Sequence, residues 1–377
     1  MKVLIAGDYC PIYKVGELLG QKKYLDVMGE MTPYILSSDF SILNLECPLL
    51  EKKEEPIEKK GPNLFAFKDA AEAIKNIGFK AVSLANNHFR DYGDAGCKST
   101  IGVLDKLSIL HVGGGKNLTD ANKVLYYSCN GETLAIINVC EHEFNIATDD
   151  IQGSAPIDLI NVYSAIRDAK KKADFILVIT HSGHEHFNLP SLTMKRNYRW
   201  FVEIGADAVV NHHQHCYSGY EIYKGKPIVY GLGNFCFPRP GFKNTPWNEG
   251  YVVKLETGGL KQIEIIPYRQ CNEDNKVTLV EGDDKKVFLE KVDALSSIII
   301  DEISHKRAIS EYYESCKKDI EIVLGNYSDK KIIRGLKRRN IISSGISKEK
   351  ILLLYDYIMC ESHRDKIIYY LKSKLVL

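Results

Sequence analysis

The stretch Ala206-Asp207-Ala208-Val209-Val210-Asn211-His212-His213-Gln214-His215 places three histidines directly after a short apolar run. An uninterrupted apolar run is typical of a parallel strand that is buried on both faces. In open α/β sheets, ligands bind beyond the carboxyl ends of such strands. The stretch therefore predicts an α/β fold with a functional site at the end of this strand.

Four other apolar runs also end in side chains that can bind a metal ion. They are Lys2 to Ala6 before Gly7-Asp8, Phe40 to Leu45 before Glu46, Phe79 to Ala85 before Asn86-Asn87-His88, and Phe175 to Thr180 before His181. Each cluster alone has a structural explanation, since an Asp can cap a helix and an Asn pair can form a turn. At the ends of five neighbouring strands, however, the clusters are expected to converge. Their mixture of oxygen and imidazole ligands suits Zn, Mn or Fe better than Ca or Mg.

Six short motifs carry a resemblance to a known family over about residues 1 to 270. They are Gly7-Asp8, Asn44-Leu45-Glu46-Cys47-Pro48-Leu49, Ala85-Asn86-Asn87-His88 with Asp91-Tyr92-Gly93, His181-Ser182-Gly183-His184-Glu185, His212-His213-Gln214-His215 and Gly231-Leu232-Gly233-Asn234-Phe235. Their order and content resemble the CapA family of bacterial capsule and poly-γ-glutamate synthesis proteins, which is related to calcineurin-like metallophosphoesterases. The resemblance implies a four-layer αββα sandwich.

The resemblance also implies one or two divalent metal ions, Mn, Zn or Fe. Asp8 and His215 would hold one ion, and Glu46 would bridge to the other. The ligands of that second ion would be Asn87, His181 and His213. Two such ions activate a bridging water and clamp the oxygens of an in-line displacement.

Further residues of the motifs are expected to act on the substrate. His88 would be the general acid or transition-state stabiliser, with Asp91 as its orienting partner. The residues expected to bind substrate or line the cleft are Asn86, Arg90, His184, Glu185, His212 and Asn234. Several of these also have an ordinary structural interpretation: Glu185 as a solvated carboxylate, Asn234 as part of a tight turn after Gly-x-Gly, and Arg90 as a loop arginine facing water.

The chain departs from the phosphoesterase pattern at two positions. It has Asp8-Tyr9-Cys10 where that superfamily usually has Asp-x-His, and Glu46 where the bridging residue is usually Asp. The sequence thus leaves open whether one or two metals bind and whether Cys10 is a ligand.

Composition favours a soluble enzyme in a reducing compartment. The net charge is +1, which gives no reason to expect nucleic-acid binding. The ten cysteines include no C-x-x-C pair, as is typical of free thiols. The apolar run at Met1 is too short for a signal peptide, and no run approaches the roughly 20 residues of a membrane span. We therefore expect a cytoplasmic protein without a transmembrane segment.

The 377 residues exceed the ~250–300 at which a single core stops growing. We expect a catalytic domain at 1–270 and a helical accessory domain at 285–377. Helix-like periodicity occurs in the first at Leu25 to Leu36, Ala70 to Ile77, Ala95 to Leu107, Ile157 to Lys171 and Leu192 to Ile204, and in the second at Lys285 to Ile303, Arg307 to Leu324, Asp329 to Arg339 and Lys348 to Lys372. Hairpins are indicated at Asn130-Gly131, Lys224-Gly225-Lys226 and Gly258-Gly259.

Two lysine-rich stretches have competing interpretations. Glu51 to Gly61 is expected to be an exposed insertion rather than a flap over the substrate. The basic run from Lys330 to Arg339 is either a solvated helix face or a docking surface for an acidic polymer or membrane. The C-terminal helices can also form a homo-oligomer or cover the cleft, and the sequence does not choose.

These patterns predict a metal-dependent hydrolase, a phosphoesterase acting in capsule or surface-polymer biosynthesis, with an anionic polymer or a phosphorylated small molecule as substrate. One alternative is a non-catalytic assembly factor that retains the metal site, and Cys10 favours it. The other is a hydrolase or transferase of γ-glutamyl amide bonds, because an activated water also attacks carbonyl carbon.

Overall fold

The computed structural model describes residues 1–52, 54–258, 263–324 and 347–375. Within these residues, the strands form two large sheets and two short pairs. We number the strands β1 to β18 and the helices α1 to α12 along the chain. The short pairs are β3 (Leu49–Leu50) with β4 (Ala66–Phe67), and β7 (Gly114–Gly115) with β10 (Gly153–Ser154).

The first large sheet has a parallel half and an antiparallel half. Its strands are β1 (Lys2–Tyr9), β2 (Phe40–Leu45), β5 (Ala81–Ser83), β6 (Leu110–Val112), β15 (Asn234–Cys236), β16 (Glu249–Glu256), β17 (Glu264–Gln270) and β18 (Val277–Leu279). They lie in the order β18-β17-β16-β1-β2-β5-β6, and β15 pairs in parallel with the end of β1. The parallel strands β1, β2, β5 and β6 therefore end at one edge.

The second large sheet is also mixed. Its strands are β8 (Leu125–Cys129), β9 (Glu132–Cys140), β11 (Phe175–His181), β12 (Ala208–His212), β13 (Tyr220–Tyr223) and β14 (Lys226–Val229). They lie in the order β13-β14-β12-β11-β9-β8, with β9, β11, β12 and β14 parallel. The outer strands β8 and β13 are the antiparallel partners in the hairpins predicted at Asn130-Gly131 and Lys224-Gly225.

The alternation of side chains along the strands shows how the layers stack. In β1, Val3 and Ile5 pack with residues of the second sheet such as Leu177, whereas Leu4 packs with the helices outside the first sheet. In β11, Val178 faces the helices outside the second sheet. Side chains that alternate in this way fill both faces of each sheet. The predicted four-layer αββα sandwich is thus confirmed.

The helices occupy the outer layers and the C-terminal region. They are α1 (Tyr13–Gly20), α2 (Tyr24–Met28), α3 (Thr32–Leu36), α4 (Asp69–Ile77), α5 (Gly93–Lys106), α6 (Leu118–Ala121), α7 (Leu159–Ala169), α8 (Leu192–Ile204), α9 (Gly282–Ile300), α10 (Glu302–Leu324), α11 (Lys348–Met359) and α12 (Glu361–Leu375), with short 3-10 turns at Gly29–Met31 and Pro246–Asn248. The bounds predicted for α8 are confirmed, because Ser191 caps its first turn and Gly205, at φ 126°, ends it. The segment predicted as one helix at Leu25 to Leu36 is broken by the first 3-10 turn.

The five strand ends that define the predicted site come from both sheets. Those of β1, β2 and β5 belong to the first sheet, and those of β11 and β12 to the second. The expectation of five neighbouring strands is therefore wrong in detail. The clusters nevertheless meet, because the two sheets pack face to face with these ends on the same side.

Parts of two predictions lie outside the described residues. These are the segment Asp329 to Arg339 with its basic run, and the second glycine of the turn at Gly258-Gly259. In the part of the chain that is described, no helix has both the length and the apolar character needed to cross a membrane.

Candidate metal centre

The end of β1 is held tightly against the start of β15. A Cβ on Gly7 would lie 1.9 Å from the carbonyl oxygen of Gly233, so only glycine fits there. The same carbonyl accepts a hydrogen bond from the Asp8 amide, and Asp8 pairs with Asn234 in the strand register. This close approach fixes the Asp8 carboxylate at the edge of the sheet.

One group of ligand atoms surrounds the imidazole of His181. Its Nε2 lies 3.0 Å from Asn87 Oδ1, 3.0 Å from His213 Nδ1 and 3.6 Å from Glu46 Oε1. All four residues are buried. Strand ends from both sheets thus deliver two imidazole nitrogens, an amide oxygen and a carboxylate oxygen to one point.

A second group shares Glu46 with the first. Asp8, Glu46 and His215 each offer one ligand atom, and these atoms lie within 4.8 Å of one another. His215 Nε2 is 3.6 Å from the same oxygen of Glu46 that faces His181. Glu46 therefore stands between the two groups, as expected of a bridging ligand.

The chemistry of both groups fits a divalent cation. An ion bound at about 2.1 Å to each ligand holds adjacent ligand atoms roughly 3.0–3.4 Å apart, close to the spacing around His181. Both carboxylate oxygens of Glu46 are buried without a hydrogen-bond partner, although an unpaired buried carboxylate is costly. Burial, followed by the charge of Asp8, raises the pKa of Glu46 well above its ordinary value. A cation between the groups would relieve this cost.

The loop after β12 carries backbone strain at two of its histidines. His213 has φ 90° and His215 has φ 55°, in a region that residues with a side chain rarely adopt. Such conformations cost about 1–3 kcal/mol each and cluster at functional sites. In this conformation both imidazoles lie in the ligand groups that include Glu46.

Each strained histidine has a buried partner on the side away from Glu46. For His213 this partner is Glu141, which together with Glu143 and His213 forms a third group whose atoms are close enough to hold a metal ion. Glu141 Oε1 lies 3.2 Å from His213 Nε2, in an ion pair rather than a well-aligned hydrogen bond. Burial lowers the pKa of His213, but the contact with Glu141 outweighs it and raises that pKa to about 9. His215 Nδ1 donates to Asn234 Oδ1 at 2.9 Å. Partners of this kind orient the ring of a metal-binding histidine.

His88 and Asp91 meet as predicted, and a third residue joins them. His88 Nδ1 lies 2.7 Å from Asp91 Oδ2. Lys59 pairs with the other oxygen of Asp91 and lies 3.2 Å from the same imidazole nitrogen. Burial and then the charge of Lys59 lower the pKa of His88, while Asp91 opposes them.

Four of the expected substrate-binding residues are already occupied by the protein itself. Arg90 donates to the carbonyl of Gln152 and pairs with Asp94. Fully buried Asn86 donates to Leu45 O, so its amide has no free face toward a substrate.

The polar atoms of the other two residues, Asn234 and His184, also contact the protein. Asn234 is fully buried and supports His215, as above. The imidazole of His184 contacts the Tyr313 hydroxyl of α10 at 3.1 Å rather than the ligand groups. Burial or hydrogen bonds to the protein occupy polar atoms of all four residues, and their direct contact with a substrate stays a prediction.

The remaining two expected residues lie beside the centre. His212 Nδ1 is 3.2 Å from Asp8 Oδ1, below the surface. Glu185 is exposed and lines a cavity of about 550 Å³ together with Asn87 and His88. Partial desolvation by the walls of the cavity raises the pKa of Glu185, but the charges of His215 and His213 outweigh this effect and lower that pKa to about 2. Of the six residues, Glu185 is the one that lines this cavity.

Cys10 belongs to none of the groups that can hold a metal ion in the described residues. Its thiol is fully buried next to Cys47, and burial raises its pKa well above the ordinary value. A thiol in that state is a poor ligand, because metals bind the thiolate.

Sequence reasoning missed Lys59 and Glu141. Glu141 directly follows the apolar run that forms β9. The rule that ligands bind beyond the carboxyl ends of buried strands, here called the strand-end rule, therefore also identifies Glu141. Lys59 gives no such signal, because its lysine-rich segment is typical of a solvated loop, yet its side chain is only 2% exposed.

Comparison with known proteins places these residues in a family context. A model of the family described as "Bacterial capsule synthesis protein PGA_cap" matches residues 2–239. The chain is 31% identical over 275 residues to the capsule biosynthesis protein CapA of Bacillus anthracis. The aligned region covers 71% of this chain and 67% of the Bacillus anthracis protein. It is also 31% identical over 264 residues to the PGA biosynthesis protein CapA of Bacillus subtilis strain 168, covering 69% of each.

Solved structures resemble the chain less closely. A hypothetical protein from Thermus thermophilus has a TM-score of 0.44 and 16% identity, covering 71% of this chain and 98% of that one. A putative 5′-nucleotidase from Staphylococcus aureus has a TM-score of 0.39 and 14% identity, covering 78% of this chain and 58% of that one.

Proposed function

The chain belongs to the bacterial capsule synthesis protein family PGA_cap, as its motifs predict, and from that membership we propose that it is a metal-dependent hydrolase of phosphoesters in capsule or surface-polymer biosynthesis. The observation that carries the proposal is the position of Glu46. One of its oxygens lies 3.6 Å from both His181 and His215, and both of its oxygens lack a hydrogen-bond partner.

The residues that would hold the metal ions are the six expected from the sequence. Asp8 and His215 would bind one ion, Glu46 would bridge, and Asn87, His181 and His213 would bind the other. When bound, divalent cations polarise a phosphoryl oxygen and generate a nucleophile from water near neutral pH. Mn, Zn and Fe all suit this mixture of ligands.

His88 is positioned to act on the leaving group. Its Nδ1 is bound to Asp91, so its Nε2 is the nitrogen left to face the substrate, and His88 lines the cavity. A protonated His88 would donate to the leaving oxygen, and the Asp91 carboxylate would stabilise the charged ring. Lys59 anchors Asp91 and completes a buried group of three.

The cavity is suited to a polar substrate. Lys60 and Lys366 line it beside four carboxylates, those of Glu143, Glu185, Asp319 and Asp356. The two lysines are the groups that can contact the anionic part of a polymer or of a phosphorylated small molecule. Independence from nucleic acid, a cytoplasmic location and a possible homo-oligomer formed through the C-terminal helices remain predictions from the sequence.

A γ-glutamyl amide hydrolase or transferase is the second candidate. The name of the Bacillus subtilis relative points to poly-γ-glutamate biosynthesis, and an activated water attacks a carbonyl carbon as well as phosphorus. The third candidate is a non-catalytic assembly factor, favoured by the absence of the Asp-x-His histidine at Cys10.

Substrate comparison separates the three candidates. The Mn-loaded protein is incubated with bis-p-nitrophenyl phosphate, p-nitrophenyl phosphate and γ-glutamyl-p-nitroanilide, with the His88→Ala variant in parallel. We expect turnover of a phosphate ester that falls sharply in the variant. Turnover of the anilide alone would favour amide chemistry, and metal binding without any turnover would favour the assembly factor.

A further inference from the structure

The first turn of α12 lies directly on the carboxylate of Glu141. Ser362 donates two hydrogen bonds to Glu141 Oε2, from its hydroxyl at 2.8 Å and from its amide at 3.3 Å. Ser362 is 3% exposed and Glu141 is 2% exposed. The positive end of the helix dipole therefore adds to two hydrogen bonds at a buried carboxylate.

The other oxygen of Glu141 reaches a candidate metal ligand. Glu141 Oε1 lies 3.2 Å from His213 Nε2, and His213 Nδ1 lies 3.0 Å from His181 Nε2. Ser362 thus reaches the metal centre through one carboxylate and one imidazole. Carboxylates that bind the far nitrogen of a ligating histidine fix its ring orientation.

A second clamp holds the same turn in place. The carboxylate of Glu361 accepts from the amide of His142 at 2.9 Å and from its Nδ1 at 2.7 Å. The two residues that begin α12 therefore bind the two residues that follow β9, one pair each. This reciprocal arrangement leaves the Glu141 carboxylate little freedom to turn away from His213.

The preceding helices attach to the loop after β11. Tyr313 of α10 contacts His184 at 3.1 Å, and Tyr312 stacks on Phe187 with ring centroids 3.9 Å apart. Asp356 and Lys366, from α11 and α12, line the same cavity as His88. The C-terminal helices thus form one wall of the candidate site, although the family match ends at residue 239.

We propose that Ser362 is a positioning residue of the metal centre, and that the helices after the family-matched region complete that centre by fixing Glu141 and, through it, His213. The inference rests on the proposed function only in requiring that the site bind a metal ion. It implies that the C-terminal region is part of the catalytic unit, in place of the separate accessory role expected from the sequence.

A double-mutant cycle in metal affinity tests this inference on the full-length chain. Affinity for Mn²⁺ is measured by competition with a chelator in the wild-type protein, Ser362→Ala, Glu141→Gln and the double variant. We expect each single variant to bind Mn²⁺ about 10-fold more weakly than the wild-type protein, because loss of a residue that orients a metal ligand typically lowers metal affinity by at least that factor. The double variant is expected to bind no more weakly than Glu141→Gln, because Ser362 acts through Glu141.

The matched control is Ser373→Ala, on the exposed face of the same helix, where the hydroxyl bonds only to Tyr370 O. It should bind Mn²⁺ as tightly as the wild-type protein. Thermal unfolding without metal separates loss of the fold from loss of the ligand geometry. As a spectroscopic check, the d–d absorption of the Co²⁺-loaded Ser362→Ala variant should differ from that of the wild-type protein.

The outcomes distinguish this inference from the proposed function. Unchanged affinity and unchanged Co²⁺ absorption in Ser362→Ala would overturn the positioning role while leaving the metal site intact. Additive losses in the double variant would also overturn it, since they would show that Ser362 acts independently of Glu141. A wild-type protein that binds no metal would instead contradict the proposed function itself.

Discussion

His181 Nε2 lies 3.0 Å from His213 Nδ1, although the two residues are 32 positions apart: His181 ends β11, and His213 directly follows the adjacent strand β12. Burial, followed by the neighbouring histidines, lowers the pKa of His181 well below its ordinary value. The neutral imidazole of His181 can bind a metal ion directly, because histidine binds metals in its neutral form. The imidazole of His213, whose pKa Glu141 raises to about 9, must lose its proton when the ion binds.

The first prediction concerns these two ligands. His181→Ala and His213→Ala should each lower the metal content of the purified protein, because each removes one nitrogen from the group around Glu46. Inductively coupled plasma mass spectrometry gives the metal per chain. His111→Ala is the control, since that histidine of β6 pairs with Asp105 and should leave metal content unchanged. Full metal content in both ligand variants would show that the ion is bound elsewhere.

The second prediction concerns His88. His88→Ala should retain its metal and lose about 10²–10⁴-fold in kcat on a phosphodiester, the usual contribution of a general acid. The side chain lines the cavity but belongs to none of the three groups of possible metal ligands, so metal binding and catalysis should separate. Steady-state kinetics on metal-loaded protein provide the measurement. Turnover at the wild-type rate would remove the role assigned to His88.

The third prediction distinguishes a buried Lys59 from a solvated one. Lys59→Met should lower the free energy of unfolding by about 3 kcal/mol, because it removes the lysine cation from the buried Asp91 carboxylate and leaves Oδ1 of that carboxylate unpaired. Lys52 belongs to the same lysine-rich segment but is 81% exposed, so Lys52→Met should change stability by less than about 0.5 kcal/mol. Urea unfolding measures the stability of both variants. If both lose less than about 0.5 kcal/mol, Lys59 is solvated like Lys52.

The fourth prediction is a pH dependence at the base of α12. The hydrogen bond to Glu361 raises the pKa of His142 above 6.5. The charged His142 therefore contributes fully to folding stability below pH 6.5, and this contribution is lost as the pH rises through the raised pKa. Burial raises the pKa of Glu361, but the hydrogen bonds from His142 outweigh burial and lower that pKa below 4.5. The contribution of Glu361 to folding stability is therefore lost only when the pH falls below 4.5. The pair should therefore stabilise most between pH 4.5 and 6.5.

The His142→Gln variant provides the comparison. It should be less stable than the wild-type protein by about 1 kcal/mol at pH 6, and by less at pH 9, where the histidine of the wild type loses its charge. Urea unfolding at the two pH values measures the difference. If the stability difference between the variant and the wild-type protein is the same at pH 6 and pH 9, or larger at pH 9, the predicted role of the charged pair is contradicted.

The strand-end rule explains why so much of the candidate site follows from the sequence. Glu46 and His181 stand at the ends of buried apolar runs, and parallel strands bring such ends to one edge. The same rule selects Glu141, but the run before it begins with Glu132 and Thr133, contains Asn138 and forms a hairpin with β8. These features indicate the turn of the hairpin more strongly than a site at the end of the strand.

Other features depend on tertiary contacts that local patterns do not encode. Composition indicates a solvated Lys59, whereas tertiary contacts with Asp91 and His88 bury its side chain. The periodicity after residue 285 predicts helices, but it does not say where they dock. The contact between Ser362 and Glu141 joins residues 221 positions apart, a separation at which periodicity carries no information.

The most direct test of the metal-dependent hydrolase is elemental analysis of the purified protein, paired with hydrolysis of a chromogenic phosphodiester in the presence of manganese. We expect one or two divalent ions per chain and turnover that depends on them and on His88. A chain that holds no metal after loading with manganese, zinc or iron would contradict the claim that Glu46 and its neighbouring histidines form a metal centre.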